Sequence, residues 1–114
     1  MKLAIIGSRN LTIDDIEKYI PEGVTEIVSG GAKGIDTCAA NYARINNIKL
    51  TVFLPNYKRY GKYAAPLKRN LQIIEYSDEV IAFWDGTSTG TDYVIKNCKK
   101  TNKKITVHIF RIEK

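Results

Sequence analysis

Five apolar runs limit what this chain can fold into. "KLAII" (residues 2–6), "TEIVS" (25–29), "KLTVFL" (49–54), "DEVIAFW" (78–84) and "ITVHIF" (105–110) each have the length and β-branched content of a buried strand. Between them the apolar positions recur at helical spacing. One helix is expected over 12–20, opened by Thr12 with Asp14 and Asp15 in its first turn and ended by Pro21. A second is expected over 35–46, with Cys38, Ala39, Tyr42 and Ala43 on one face. A third is expected over 65–76, with Pro66 in its first turn, and a fourth over 91–100.

Strands that alternate with helices form βαβ units, and these build a parallel sheet covered on both faces. Right-handed crossovers then give a three-layer α/β/α sandwich of Rossmann-like type, with strand order 3-2-1-4-5. Five strands and four helices use up the sequence, so residues 1–114 are expected to form one domain. No run approaches the roughly eighteen apolar residues of a membrane span. The opening "MKLAIIGSRN" turns polar too soon for a signal peptide, which places the chain in the cytoplasm as an expectation.

Cys38 and Cys98 fall in expected helices without a CxxC or histidine neighbours and read as reduced core thiols, with no metal-ligand pattern. His108, the only histidine, lies in an apolar strand and reads as structural. Eighteen basic against twelve acidic residues give a net charge of +6 and favour anionic partners.

In a doubly wound sheet, ligands collect at the carboxyl edge, where strands hand over to helices. Four unusual segments fall there: "GSRN", "GGAKGID", "PNYKRYGKYAAP" and "DGTSTGTD". The first amides of a helix have no internal partner, and glycine lets a backbone approach an oxyanion closely. Strand, glycine turn and helix start together make a phosphate cradle. Candidates on this ground are Gly30, Gly31, Ala32, Lys33 and Gly34, then Gly86, Thr87, Ser88, Thr89, Gly90 and Thr91, with Gly7, Ser8 and the Arg9 guanidinium as a third set. GxGxxG is absent, and "GGAKGID" lacks the Lys-Ser/Thr ending of a P-loop, so neither a dinucleotide oxidoreductase nor an NTPase is indicated.

"VSGGAKGID", including Ser29, resembles the "SGGARGID" signature of the DNA-processing protein DprA. "LKRNLQIIEYSDEVIAF", with Arg69 and Asn70, is similar to the "RNRIIAGLS" segment of that family. "DGTSTGTDYVI" resembles the "GGxGTxxE" loop of the LOG phosphoribohydrolases. With "GSR" after the first strand, the chain resembles the SLOG superfamily of Rossmann-like domains over residues 4–97, and within it the short YspA-like proteins. The resemblance implies a nucleotide or nucleotide-derived ligand, with Arg69 and Asn70 at the rim facing it, and pockets that in this superfamily are often completed across a homodimer; Asp36, Asp85 and Asp92 are the carboxylates expected near a bound ribose. The LOG glutamate position is Val94 here, and a valine can neither stabilise an oxocarbenium ion nor activate water.

The expected function is therefore binding or sensing of a small nucleotide-like phosphate without catalysis. Two alternatives stay open: an N-glycosidase using Asp36, Asp85 or Asp92, and single-stranded nucleic-acid binding through "PNYKRYGKY". That segment reads as a polar loop with Tyr57, Tyr60 and Tyr63 among Lys58, Arg59 and Lys62. Trp84 either walls a base pocket or caps the core.

Overall fold

The computed structural model describes residues 1–111. Its elements are β1 (Lys2–Gly7), a 3-10 turn (Ile16–Tyr19), β2 (Glu26–Ser29), α1 (Ile35–Ile45), β3 (Lys49–Val52), α2 (Tyr57–Tyr76), β4 (Glu79–Trp84), α3 (Thr89–Lys100) and β5 (Ile105–Ile109). The strands are parallel in the order β3-β2-β1-β4-β5, as their alternation with helices predicts. Helices cover both faces, so this is the expected Rossmann-like α/β sandwich.

The strand period of two divides the apolar residues between two cores. On one face Leu3 and Ile5 of β1 pack with Ala39 and Ala43 of α1. On the other, Ala4 and Ile6 pack with Ile73 and Ile74 of α2 and Val94 and Ile95 of α3. Burying each large side chain contributes about 1.5–3 kcal/mol, and both faces of β1 and β4 gain it. His108 lies against Phe83, with ring centroids 5.5 Å apart, and is met edge-on by Tyr19 at 4.7 Å. Cys98 is buried in the second core, and that burial pushes its thiol up to about 11.

Two expectations are corrected. Residues 12–20 do not form an α-helix; only the 3-10 turn forms. Nine residues fall short of the dozen or so that a helix needs for independent stability. Asp14 and Asp15 also favour turns over helix interiors, and Asp15 gives the turn no side-chain cap. Ile16 and Tyr19 still reach the core from this turn.

Residues 57–64 are also not a loop. α2 begins at Tyr57, capped by the Asn56 side chain, which accepts the Arg59 N–H at 3.1 Å. Gly61 (φ 80°, ψ 179°) breaks this helix after its first turn, and the long arm resumes beyond it. Smaller shifts follow from the same rules: β3 stops at Val52 and α3 starts at Thr89.

Candidate functional site

The loops after β1, β2 and β4 meet the long arm of α2 around a cleft of about 700 Å3 at the carboxyl edge of the sheet. Of the residues singled out from sequence, Gly7, Ser8, Arg9, Gly30, Ala32, Asp36, Arg69, Asn70, Ser88, Thr89, Gly90 and Thr91 line it. Ser29, Gly31, Lys33, Gly34, Trp84, Asp85, Gly86 and Thr87 do not.

After β1, the Ser8 N–H donates to the Phe83 carbonyl and the Leu11 N–H to the Ser8 carbonyl, at 3.0 and 3.2 Å. This tight turn leaves Arg9 and Asn10 exposed on the rim. The buried Ser8 hydroxyl accepts the Asp85 N–H at 3.1 Å and so ties the first loop to the fourth.

The glycines after β2 make room for the protein's own atoms. A Cβ on Gly30 would lie 2.7 Å from Arg69 Nη1 and 3.1 Å from Asp36 Oδ2. Gly34 (φ 73°) holds a backbone conformation that L side chains resist, and a Cβ there would meet the Arg9 carbonyl oxygen at 2.5 Å. These fits press α1 against the turn at residues 8–11. Gly31 faces Leu54 and Val52 instead of the cleft. Ser29 is buried within β2.

Arg69 comes across from α2 and is only 7% exposed. Its Nη1 donates to the Gly30 carbonyl and, at 3.4 Å, to that of Phe53; its Nε donates to Asn70 Oδ1 at 2.9 Å. Burial lowers its pKa, while the charge of Asp36 works the other way. Asp36, equally buried, accepts the Ala32 N–H at 3.0 Å. Burial raises its carboxyl above the ordinary value, against the pull of that amide and the charges of Arg69 and Arg9.

The loop after β4 is arranged differently. Asp85 Oδ1 accepts the Thr87 and Ser88 N–H groups at 2.9 and 2.8 Å, and Oδ2 accepts the Ser88 hydroxyl at 2.9 Å. Those amide bonds hold its carboxyl well below the usual carboxylate range. The Trp84 indole N–H donates to the Ser88 carbonyl at 3.0 Å. Asp85 and Trp84 therefore brace the loop from beneath and do not line the cleft. Ser88 holds the N-cap position of α3, but its hydroxyl is turned to Asp85 and makes no cap bond. The first-turn amides at Thr89, Gly90 and Thr91 thus have neither an intrahelical acceptor nor a side-chain cap where they border the cleft.

Sequence reasoning missed the apolar part of the lining. Ile6, Pro66, Leu67, Ile73 and Val94 form it, Tyr93 lies beside them, and Asn10 joins the polar side. The helical spacing of Pro66, Leu67, Asn70 and Ile73 was the available signal, because residues three and four apart share a face. Among the three candidate carboxylates, only Asp36 borders the cleft. Asp85 is bound into its loop, and Asp92 pairs with Lys96 at 2.8 Å. Val94, at the LOG glutamate position, is buried in the apolar wall.

A parallel α/β sheet with a polar and apolar cleft at its carboxyl edge defines the class: a Rossmann-like domain with its site at the strand-order reversal. The family model for the YspA, cpYpsA-related SLOG family matches residues 4–60, and the chain belongs to that family. The match carries most of β1, the turn at 8–11, β2, the glycine turn, α1, β3 and the first turn of α2; Arg69 and the Ser88–Thr91 segment lie beyond it. No curated protein and no solved structure significantly matches the chain. No helix among the described residues is long and apolar enough to cross a membrane.

Proposed function

We propose that this domain binds a small nucleotide or nucleotide-derived phosphate in the cleft, as a binding or sensing module. The carrying observation is that uncapped α3 amides and two arginines, Arg9 and Arg69, line one cavity together with the apolar side chains of Pro66, Leu67, Ile73 and Val94. In this reading the phosphate sits at the amides of Thr89, Gly90 and Thr91, with Arg9 closing over it. The base or sugar lies against Pro66, Leu67 and Tyr93. Membership in a SLOG family supports a nucleotide-related ligand.

The cavity falls within the roughly 300–1,000 Å3 of small-molecule sites. A mononucleotide of about two dozen heavy atoms, at about 0.3 kcal/mol each, reaches roughly 7 kcal/mol, or affinity near ten micromolar. Titration calorimetry against mono-, di-, cyclic and ADP-ribosyl nucleotides tests this, with heat expected from at least one class. A silent panel refutes it.

One observation favours a second reading, hydrolysis of an N-glycosidic bond. Asp36 is the one carboxylate among the described residues lining the cleft, and its raised pKa suits a general acid or base. Release of free adenine from AMP, lost on Asp36→Asn, would establish it; nucleotide binding without product rejects it.

A further inference from the structure

The chain's positive charge is concentrated. Residues 37–74 hold seven of the eighteen cations and no aspartate or glutamate. That segment carries +7 against +6 for the whole chain, so the remainder is close to neutral. Its exposed apolar side chains are concentrated too. Of the eight large hydrophobic residues left exposed among the described residues, six lie between Val52 and Leu67. They stand along edge strand β3 and the start of α2, away from the cleft except for Leu67.

The aromatic members have a particular arrangement. Tyr57, Tyr60 and Tyr63 are 51%, 36% and 83% exposed. Arg59 stands 5.2 Å and Lys68 5.9 Å from the Tyr60 ring centroid, and Lys62 stands 5.7 Å from that of Tyr63. Beside Tyr60 is a hollow of about 220 Å3 bounded by Leu54, Arg59 and Lys68. This is below the volume of a whole small-molecule site and has room for a single planar base.

We propose that this face, from Leu54 to Lys68, is a docking surface for single-stranded nucleic acid. Bases stack on the Tyr60 and Tyr63 rings in place of the cations now over them, and each displaced cation meets the phosphate of that nucleotide. Charge complementarity selects a polyanion over a second copy of this chain, whose identical patch would repel it. Rings, unlike cations alone, reward unpaired bases, because a duplex hides its base faces. A membrane surface would require one continuous apolar stripe, and the break at Gly61 divides this helix after a single turn. The proposal does not depend on what the cleft binds.

The test is fluorescence anisotropy of a labelled oligothymidylate of about twelve nucleotides, within the range that such surfaces cover. Binding is expected at low salt. If Lys58, Arg59, Lys62 and Lys68 each meet a phosphate, the slope of log K against log salt is about −3. Tyr60→Leu and Tyr63→Leu keep an apolar side chain at exposed positions but remove the ring; each is expected to weaken binding about fivefold or more. A duplex of equal length is expected to bind more weakly. The proposal is overturned by no binding at low salt, by duplex binding as tight as single-strand binding, or by leucine variants that bind normally. It is equally overturned if anionic phospholipid vesicles bind and the oligonucleotide does not, or if ultracentrifugation shows a dimer that buries the tyrosines.

Discussion

Gly90→Ala should separate what stabilises α3 from what the helix start is for. A Cβ at Gly90 would meet nothing within 4 Å, and the residue's φ is not positive, so the backbone accepts alanine without strain. Alanine is a better helix former and its unfolded chain is less flexible, together worth about 0.5–1 kcal/mol at this position. With an unfolding entropy of about 2.1 cal/mol/K per residue, a chain of 114 residues should melt about 2–4 °C higher. Gly90 lines the cleft, so in the proposed reading the added methyl group crowds the approach of an oxygen that must come within about 2.9 Å of the α3 amides. Loss of one charge-assisted hydrogen bond costs about 1.5–3 kcal/mol, or about 10- to 150-fold in affinity. The protein therefore becomes more stable and binds worse. Melting followed by circular dichroism measures the first effect. Titration followed by Trp84 fluorescence measures the second: Trp84 is the only tryptophan, and its indole is bonded to the Ser88 carbonyl at this helix start. A lowered melting point would mean that Gly90 does not border open space. An unchanged affinity for a nucleotide that binds the wild type would mean that the α3 amides are not the anion site.

Two further outcomes follow from buried polar groups. Arg69→Leu removes the donors to the Gly30 and Phe53 carbonyls and leaves Asp36 without its nearest cation; urea denaturation should show a loss of about 2–3 kcal/mol, and a loss below about 0.5 kcal/mol would contradict this reading. The pH dependence of the urea midpoint should show two carboxylates acting in opposite directions. The Tyr76 hydroxyl, then that of Thr51 and the charge of Lys49, lower the pKa of Glu26, so its stabilisation is present above about 4.5 and is lost as pH falls through its lower folded value. Asp36 is raised, so its contribution is greatest at low pH and declines as pH rises through its folded value. Asp36→Asn should flatten that decline and Tyr76→Phe should blunt the acid loss; the reverse pairing would refute the assignment.

The sheet was legible because the central strands β1, β2 and β4 are covered on both faces and appear as apolar runs. The half-exposed edge strands β3 and β5 keep β-branched residues, and right-handed crossovers then give the topology. Residues 57–64 misled because glycine and tyrosines among lysines look like a loop. The stronger signal was Asn56, a helix cap followed by good helix formers, and Gly61 interrupts that helix without preventing it. Residues 12–20 misled in the opposite direction: Ile13, Ile16, Tyr19 and Ile20 have helical spacing, but the segment is too short to form a helix alone. Within the site, the expectation of Arg69 at the rim came from family resemblance, and the structure buries it in the cleft wall instead. Its target was not expected, because the Gly30 carbonyl lies 39 residues away and nothing local encodes that bond. Local patterning could not show that Leu67 and Tyr93 would share one cavity.

The two glycine turns illustrate a wider point about phosphate cradles. The more conspicuous one, "GGAKGID", is internally satisfied: Gly30 admits Arg69 and Asp36, Gly34 admits the Arg9 carbonyl, and a carboxylate already occupies the first turn of α1. An anion there would meet the charge of Asp36. The plainer turn after β4 also has carboxylates, but they are engaged elsewhere: Asp92 in the first turn of α3 pairs with Lys96. Asp85 satisfies the loop amides and also draws away the one hydroxyl positioned to cap α3, so the positive end of that helix is left exposed beside the cleft. Glycine content reports where a backbone must pass closely; it does not say whether protein or ligand is the neighbour. That distinction rests on what the carboxylates bind, and in the reading proposed above the first turn builds the cleft and the second receives the anion.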